Sequence, residues 1–292
     1  MNFLLQNKGF GLGLLIALLI LGLPTPEGLS IEAHRTAAIF FLMGTWWATE
    51  AVPVAVTALV PLALFPLLGV VDIQSAADPY ANKTIYLFFG GFLIATAIQK
   101  WDLHKRIALF VLENAGSNGA SLVFGFMLTA AVISMWVMNT ATTIMLLPIG
   151  LAVVSVVKTT VNYLSDEDLE SFQLALLLGI AYGATIGGMS TLIGTGPNGM
   201  LAAFMADNYD LDISFVDWMK VGVPLSAVML PCSWFILTKL IFKVNFETSS
   251  ETRELLSSMK EELGKLEGPE LKVLIVFFIT AMAWMFRTVL DN

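Results

Sequence analysis

The 292-residue chain has little of what catalytic and metal-binding proteins depend on: it holds one cysteine, Cys232, and two histidines, His34 and His104. A single cysteine excludes a disulfide framework and any CxxC metal or redox site, and two histidines this far apart make no zinc site. Charge is scarce too, at 13% of residues against about 25% in soluble domains. Its balance is acidic, 15 Lys and Arg against 23 Asp and Glu for a net charge of -8, the reverse of the basic patch a nucleic-acid partner requires. What the chain has instead is apolar surface: 57% of its residues are hydrophobic and the mean hydropathy is +0.80. A soluble domain of this size cannot hide that much, so water-facing enzyme folds are excluded and the chain reads as an all-α integral membrane protein.

Apolar runs follow one another between short polar joints. The first, Phe10 to Leu23, follows Lys8 but lacks a small-residue cleavage site, and Pro24-Thr25-Pro26 ends it as a retained membrane helix. The stretch from about Ile31 to Val71 is interrupted by Thr49-Glu50-Ala51-Val52-Pro53, leaving roughly 20 residues on each side and predicting two crossings. A fourth span covers Ile85 to Ile98. Trp101 to Asn114 mixes Asp102, His104, Lys105, Arg106 and Glu113 with Leu103, Ile107, Leu109, Phe110 and Leu112, which suits a helix in the interface plane or an ordinary connecting helix.

Ser121 to Val157 holds 37 residues without a charged side chain, centred on Asn139-Thr140-Ala141-Thr142-Thr143. Setting aside Met138 to Thr143 leaves arms of 17 and 14 residues, short for two full crossings and suited to a re-entrant hairpin. A tip in mid-membrane has backbone groups that hydrocarbon cannot satisfy, so it must be buried in protein or line a wet cavity. A polar tip there is a binding-site expectation.

Basic residues give an independent reading of topology. With the N-terminus inside and an even number of passes through 121–157, Lys8, Lys100, Lys105, Arg106, Lys158, Lys239, Lys243, Arg253, Lys260, Lys265 and Lys272 lie inside, while Arg35, Lys83, Lys220 and Arg287 lie outside. That is 11 against 4, as the positive-inside rule asks; an odd number of passes would give 6 against 9.

The span from Phe172 runs into Gly183-Ala184-Thr185-Ile186-Gly187-Gly188-Met189-Ser190-Thr191-Leu192-Ile193-Gly194-Thr195-Gly196-Pro197-Asn198-Gly199. Each interior Gly costs about 1 kcal/mol and an interior Pro about 3 relative to Ala, so no continuous helix survives there. The helix is expected to unwind near Gly194 to Asn198 and restart after Pro197. For Gly183 and Gly187, spaced as GxxxG, close helix packing is the alternative reading. A broken helix beside a re-entrant hairpin is a midplane ion and anion site in secondary transporters.

Trp47-Ala48-Thr49-Glu50-Ala51-Val52-Pro53, Ser134-Met135-Trp136-Val137-Met138-Asn139-Thr140-Ala141-Thr142 and Gly187-Gly188-Met189-Ser190-Thr191-Leu192-Ile193-Gly194-Thr195-Gly196-Pro197-Asn198, in this order, closely resemble the divalent anion/sodium symporter (DASS) family. The resemblance implies two inverted repeats, each with a re-entrant hairpin and a broken helix, in a homodimer with an elevator-like motion. It also implies carriage of di- and tricarboxylates such as succinate, malate and citrate, or of sulfate, with Na⁺ as coupling ion. By position, Asn139 and Thr140 match the last two residues of the family's Ser-Asn-Thr hairpin signature and are the implied carboxylate ligands, with Thr195 near the substrate. Ser134, Asn139 and the Gly194 carbonyl are the implied Na⁺ ligands. A hard cation prefers such oxygens, and Na⁺ is expected to bind before the anion because burying an uncompensated anion is costly.

The chain departs from the family twice. Met138 stands where the signature has serine, and a thioether is a poor ligand for a hard cation. The family runs to well over 400 residues, whereas here a second hairpin is missing, so a fragment, a truncated product or half of a split transporter is expected, with an incomplete second repeat. The expected organisation is 1–120, membrane spans of the scaffold with the interfacial helix at about 101–114; 121–243, a transport region of hairpin 121–157, broken helix about 172–206 and span 221–241; and 244–292, a cytoplasmic connecting helix and the first span of the second repeat. Glu50 is either a hydrogen-bonding acid at a helix junction or a solvated turn residue. Asp207, Asp210, Asp212 and Asp217 lack EF-hand spacing and read as a solvated loop rather than a Ca²⁺ site. Glu247 to Glu270 reads as a charged cytoplasmic helix rather than a partner-binding module. Three other functions stay open: an exchanger without Na⁺ coupling, a non-transporting scaffold, and a membrane-embedded enzyme. No DxxD, HExxH or Ser/His/Asp set lies within the spans to support the last.

Overall fold

A computed structural model of the chain describes residues 2–114, 116 and 118–286; Arg287 and the end of the last predicted span lie outside the described residues. Helices account for all regular structure among them, arranged in two compact units, 1–85 and 86–292. Four helical runs, Ile73–Lys100, Asn139–Thr160, Asp166–Gly188 and Phe215–Ile241, are long and apolar enough to cross a membrane.

The first unit holds α1 (Asn2–Gly22), α2 (Ile31–Thr49), α3 (Val54–Thr57), α4 (Val60–Leu67), α5 (Ile73–Ala77) and a 3₁₀ turn at Asp78–Ala81. Ser30 caps α2 by accepting from the Ala33 N–H. α1 lies on α2 through Gly9 and Gly13, which leave room for Thr49 and Trp46. Phe10 and Trp46 stack at 5.0 Å. Glu50 closes α2 in a left-handed conformation (φ 51°) with its side chain exposed, which makes it a turn residue. The predicted second crossing of this region is not one helix. Pro53 precedes α3, Ala58 and Leu59 separate it from α4, Pro61 fills the first turn of α4 and Pro66 removes one N–H inside it, so Val54–Leu67 is a broken apolar stretch. At 1.5 Å per residue, 14 residues reach about 21 Å, short of a bilayer core of roughly 30 Å.

The second unit begins with α6 (Lys83–Lys100), which straddles the unit boundary, and α7 (Leu103–Glu113). It continues with α8 (Gly119–Ser134), α9 (Asn139–Thr160), α10 (Asp166–Gly188), α11 (Gly196–Tyr209), α12 (Phe215–Phe235, prolonged by a π-helical turn Ile236–Ile241), α13 (Ser250–Glu262) and α14 (Pro269–Met285). α8 is its central element, with Phe126 and Met127 fully buried among Leu109, Leu112, Leu146, Leu176 and Ile180. α7 turns Leu103, Ala108, Leu109 and Leu112 onto protein. His104 is buried on the same face; burial lowers its pKa from the ordinary histidine value, against the Ile98 carbonyl bond and the Asp102 charge.

The segment after α12, expected as a charged connecting helix, is bound to the rest of the unit along much of its length. Val244, Phe246 and Leu256 belong to the core, and the Gly119 N–H donates to the Phe246 carbonyl at 2.9 Å. The Thr160 and Ser249 hydroxyls meet at 2.7 Å. Lys260 pairs with Glu113. Arg106 forks onto Glu270 at 2.6 and 2.9 Å while reaching the carbonyls of Gly264 and Leu263. Leu255, Met259 and Leu263 pack beside Leu256, so the apolar residues of α13 recur at helical spacing and mark the docked face within a charged segment.

α8 and α10 pack at backbone distance. Gly179 faces Val123 and Met127, a Cβ on Gly183 would fall on the Met127 carbonyl, and one on Gly187 on the Ala131 carbonyl. Gly44 in α2, by contrast, has no neighbour within 4 Å of where its Cβ would stand. Gly183→Ala should therefore lower stability by about 1–3 kcal/mol through overpacking. Gly44→Ala should be neutral or raise it by up to about 1 kcal/mol through helix propensity. Unfolding of the two variants in detergent micelles checks the contrast.

Candidate functional site

Two interruptions of helix meet in the second unit. Met135–Met138 separate α8 from α9, and Met189–Thr195 separate α10 from α11. They coincide because α8 and α10 run in the same direction with a constant offset. Val123 meets Gly179, Met127 meets Gly183 and Ala131 meets Gly187; at the next step Thr191 Oγ1 donates to the Met135 carbonyl at 2.5 Å, again across 56 residues. That direction also means that the chain, after α8, the turn and α9, re-enters from the side on which α8 began. Gly183 and Gly187 thus serve close packing, and the break begins after them.

Both interruptions fall earlier than the sequence suggested. The Thr143 hydroxyl bonds back to the Asn139 carbonyl at 2.9 Å, so the threonines expected in the tip are absorbed into the first turns of α9. Met138, in extended conformation (φ -53°, ψ 140°), is the residue before that helix. Pro197 occupies the first turn of α11, where its missing N–H costs no bond, so Asn198 is helical and the unwound residues lie upstream.

The break is held on several sides. Asn198 Nδ2 donates to the carbonyls of Gly188 at 2.9 Å and Thr191 at 2.7 Å. The Gly194 N–H donates to Thr191 Oγ1 at 3.1 Å. From α12, Trp218 Nε1 donates to the Met189 carbonyl at 2.9 Å. Ser226 donates to the Ile186 carbonyl at 2.7 Å and accepts from the Ser190 hydroxyl at 2.8 Å. Gly222, between them, lies against the Met189 and Ser190 carbonyls. Trp218, Gly222 and Ser226 stand four residues apart, so one face of α12 splints the frayed end of α10.

Of the sequence-predicted residues, the structure gathers three. Ser134 Oγ, fully buried, donates to Asn139 Oδ1 at 2.8 Å. Asn139 stands over the last residue of α10, since a Cβ on Gly188 would fall on its amide oxygen. Gly194 is pressed between both elements, with its Cβ position 2.9 Å from the Ser134 carbonyl oxygen. Thr140 is exposed and Thr195 half-buried, and no described hydrogen bond ties either side chain to that group. Met138 is exposed at the turn. Thr191 and Asn198 were quoted in a motif without a role, and Trp218 and Ser226 were passed over; a four-residue spacing of special residues in an apolar span was the signal for the latter pair.

The site carries no formal charge, because neither 121–157 nor 171–206 contains an ionisable acid or base other than Tyr182. Its oxygens, from hydroxyl, amide and main-chain carbonyl, are neutral and hard, the donor set that suits a small cation with oxygen preference. Two helices begin here, α9 after Met138 and α11 after Thr195, and neither has a side-chain cap, whereas Asn118, Ser165 and Ser214 cap α8, α10 and α12. The first turn of α9 presents free N–H groups, while in that of α11 Pro197 has none and the Asn198 N–H donates to the Thr195 carbonyl at 3.2 Å; each helix start carries about half a positive charge, which favours an anion.

Residues 7–291 match the family described as the sodium:sulfate symporter transmembrane region. Among curated relatives, a sodium-dependent dicarboxylate transporter SdcS of Staphylococcus saprophyticus is 35% identical over 291 residues, covering 97% of this chain and 56% of the relative. The protein of the same name in Staphylococcus aureus (strain bovine RF122 / ET3-1) is 34% identical over 283 residues, covering 97% and 54%. The chain spans about half the length of the curated relatives it matches.

Asn198 supplies two donors to buried carbonyls, and its loss leaves both acceptors without a partner. Asn198→Ala should destabilise the protein by about 2–4 kcal/mol. Asn198→Asp, of the same shape but without donors, should do no better. Thermal unfolding of the purified variants measures both, and a wild-type midpoint for Asn198→Asp would show that donation to these carbonyls is dispensable.

Proposed function

The chain belongs to the sodium:sulfate symporter transmembrane family, and from that premise we propose that it forms the hairpin-and-break half of the site in a secondary transporter that carries di- and tricarboxylates with Na⁺. One observation carries the reading: Ser134 and Asn139 join their side-chain oxygens, and Gly194 packs against the Ser134 main chain, where two uncapped helices begin. Na⁺ sits between the Asn139 turn and the Gly194 loop, displacing the Ser134–Asn139 hydrogen bond so that both oxygens face the ion. Its charge then stabilises a substrate carboxylate held by Asn139, by Thr140, whose hydroxyl is exposed, by Thr195, and by the first N–H groups of α9, with the positive end of α11 adding to the field. Cation precedes anion, since an anion in an uncharged site gains little without it.

In this reading α8, the turn and α9 form a re-entrant hairpin, 121–243 is the transport region, 1–120 is scaffold, and 244–292 connects to the second repeat. The protein is a multi-pass membrane protein with its N-terminus in the cytoplasm, and it works as a homodimer by an elevator motion. Two names support the substrate class: the relatives are called sodium-dependent dicarboxylate transporters, and the family description includes sulfate. Transport is proposed for the whole protein, to which this portion contributes one part of the substrate site.

Radiolabelled succinate uptake into proteoliposomes tests the reading, comparing an inward Na⁺ gradient, K⁺ alone, and internal dicarboxylate. Uptake should require Na⁺, and Asn139→Ala should reduce it by about tenfold or more, the loss expected for a hydrogen bond to a charged group. Uptake that needs internal dicarboxylate instead would make the protein an exchanger. Uptake unchanged by Asn139→Ala would remove that residue from the site.

A further inference from the structure

Among the described hydrogen bonds, one side chain joins the hairpin turn to the helix break. Thr191 is fully buried; its Oγ1 donates to the Met135 carbonyl at 2.5 Å and accepts from the Gly194 N–H at 3.1 Å. The other side-chain bonds at the site stay on one side of this seam or run to α12. Ser134 bonds Asn139 within the hairpin, Asn198 bonds Gly188 and Thr191 within the break, and Trp218 and Ser226 brace the break from α12. One hydroxyl therefore fixes the main chain of Gly194 with respect to the turn that leads into Asn139.

The place of Thr191 in the sequence sharpens this. Gly183 and Gly187 meet α8 at Met127 and Ala131 through bare contact, and Thr191 continues the same four-residue series at Met135 with a hydrogen bond. Contact alone holds two helices together but is weakly selective for distances of a few tenths of an ångström. A hydrogen bond between unwound segments is selective, because it is made at 2.5–3.1 Å and lost beyond.

We propose that Thr191 is a positioning residue for the cation: by joining Met135 to Gly194 it sets the separation of the two groups of oxygens that face the ion, and so sets how tightly Na⁺ is held. The inference rests on the reading that Na⁺ binds between Ser134, Asn139 and Gly194. Thr191 itself is not assigned as a ligand, since its donor and one acceptor position are already used.

The test reads Na⁺ binding by the full chain in detergent as the rise in thermal midpoint when K⁺ is replaced by Na⁺ at constant ionic strength, which follows ligand occupancy of the folded state. Thr191→Val keeps the shape and removes the hydroxyl; it should raise the half-saturating Na⁺ concentration about tenfold or more, the equivalent of one buried hydrogen bond. Thr191→Ser restores the hydroxyl and should return it to within about threefold of wild type. In Na⁺-free buffer, hydrogen exchange of a peptide covering 192–196 should quicken in Thr191→Val, because the Gly194 N–H has lost its acceptor. If Thr191→Val fails to fold, Thr191→Cys, a weaker donor and acceptor, takes its place and should give an intermediate Na⁺ requirement. A merely structural threonine would lower the midpoint in K⁺ and leave half-saturation where it was; that result overturns the proposal. If wild type shows no preference for Na⁺ over K⁺, the sodium reading falls and takes this inference with it. If wild type responds, Asn139→Ala abolishes the response and Thr191→Val does not shift it, this inference alone falls.

Discussion

The close approach of α8 and α10 is the constraint on which the second unit depends. Gly179, Gly183 and Gly187 let the two helices run together at backbone distance, so the points where they stop, Ser134 and Gly188, come to the same level. Two helix ends would otherwise be two separate expenses of unpaired carbonyl groups. Side by side, the ends share partners: Thr191 serves Met135, and Gly188 gives Asn139 the space it occupies. Where hydrocarbon cannot satisfy main-chain groups, coincidence of the breaks is what makes either break tolerable.

The side chains around the breaks divide into two sorts. Asn198, Trp218 and Ser226 take up the carbonyls of Gly188, Thr191, Met189 and Ile186, and so remove them from competition for a ligand. Ser134 and Asn139 are bonded mainly to each other, an arrangement a cation can replace without leaving a buried group orphaned. Under the proposed function, one part of the site is fixed in advance and another is exchangeable, as binding followed by release demands.

Much of this was legible in the residues. Runs of uncharged sequence gave the helices, the density of Gly and Pro after Gly183 gave a break, and the polar centre near Asn139 gave a turn between two helices. The positions of both interruptions were misjudged by a few residues, because threonines bond back into a helix and Pro197 starts one; neither effect is visible to a count of polar or breaking residues. The run from Val54 to Leu67 was apolar enough to span but is cut by prolines whose place in each turn decides the outcome. The stripe of Leu255, Leu256, Met259 and Leu263 marked a docked face in the charged segment, but the ties of Arg106 to Glu270 and Lys260 to Glu113 join residues about 150 positions apart, which no local pattern announces. At the site, Ser134, Asn139 and Gly194 came from resemblance and were found together, whereas Thr191 and Ser226 needed coordinates, because a hydroxyl in an apolar helix has no sequence mark of what it bonds.

The four-residue repeat along α8 and α10 has an ambiguity built into it. A shift of one rung, four residues or about 6 Å, would again set glycines of α10 against the main chain of α8, so contact alone does not name the rung. Thr191 with Met135 breaks the degeneracy, since only one setting gives the hydroxyl its carbonyl. The repeat behaves as a vernier: smooth graduations permit many alignments, and a single distinct mark selects among them. The residue that makes the choice is the one nearest the place where register matters.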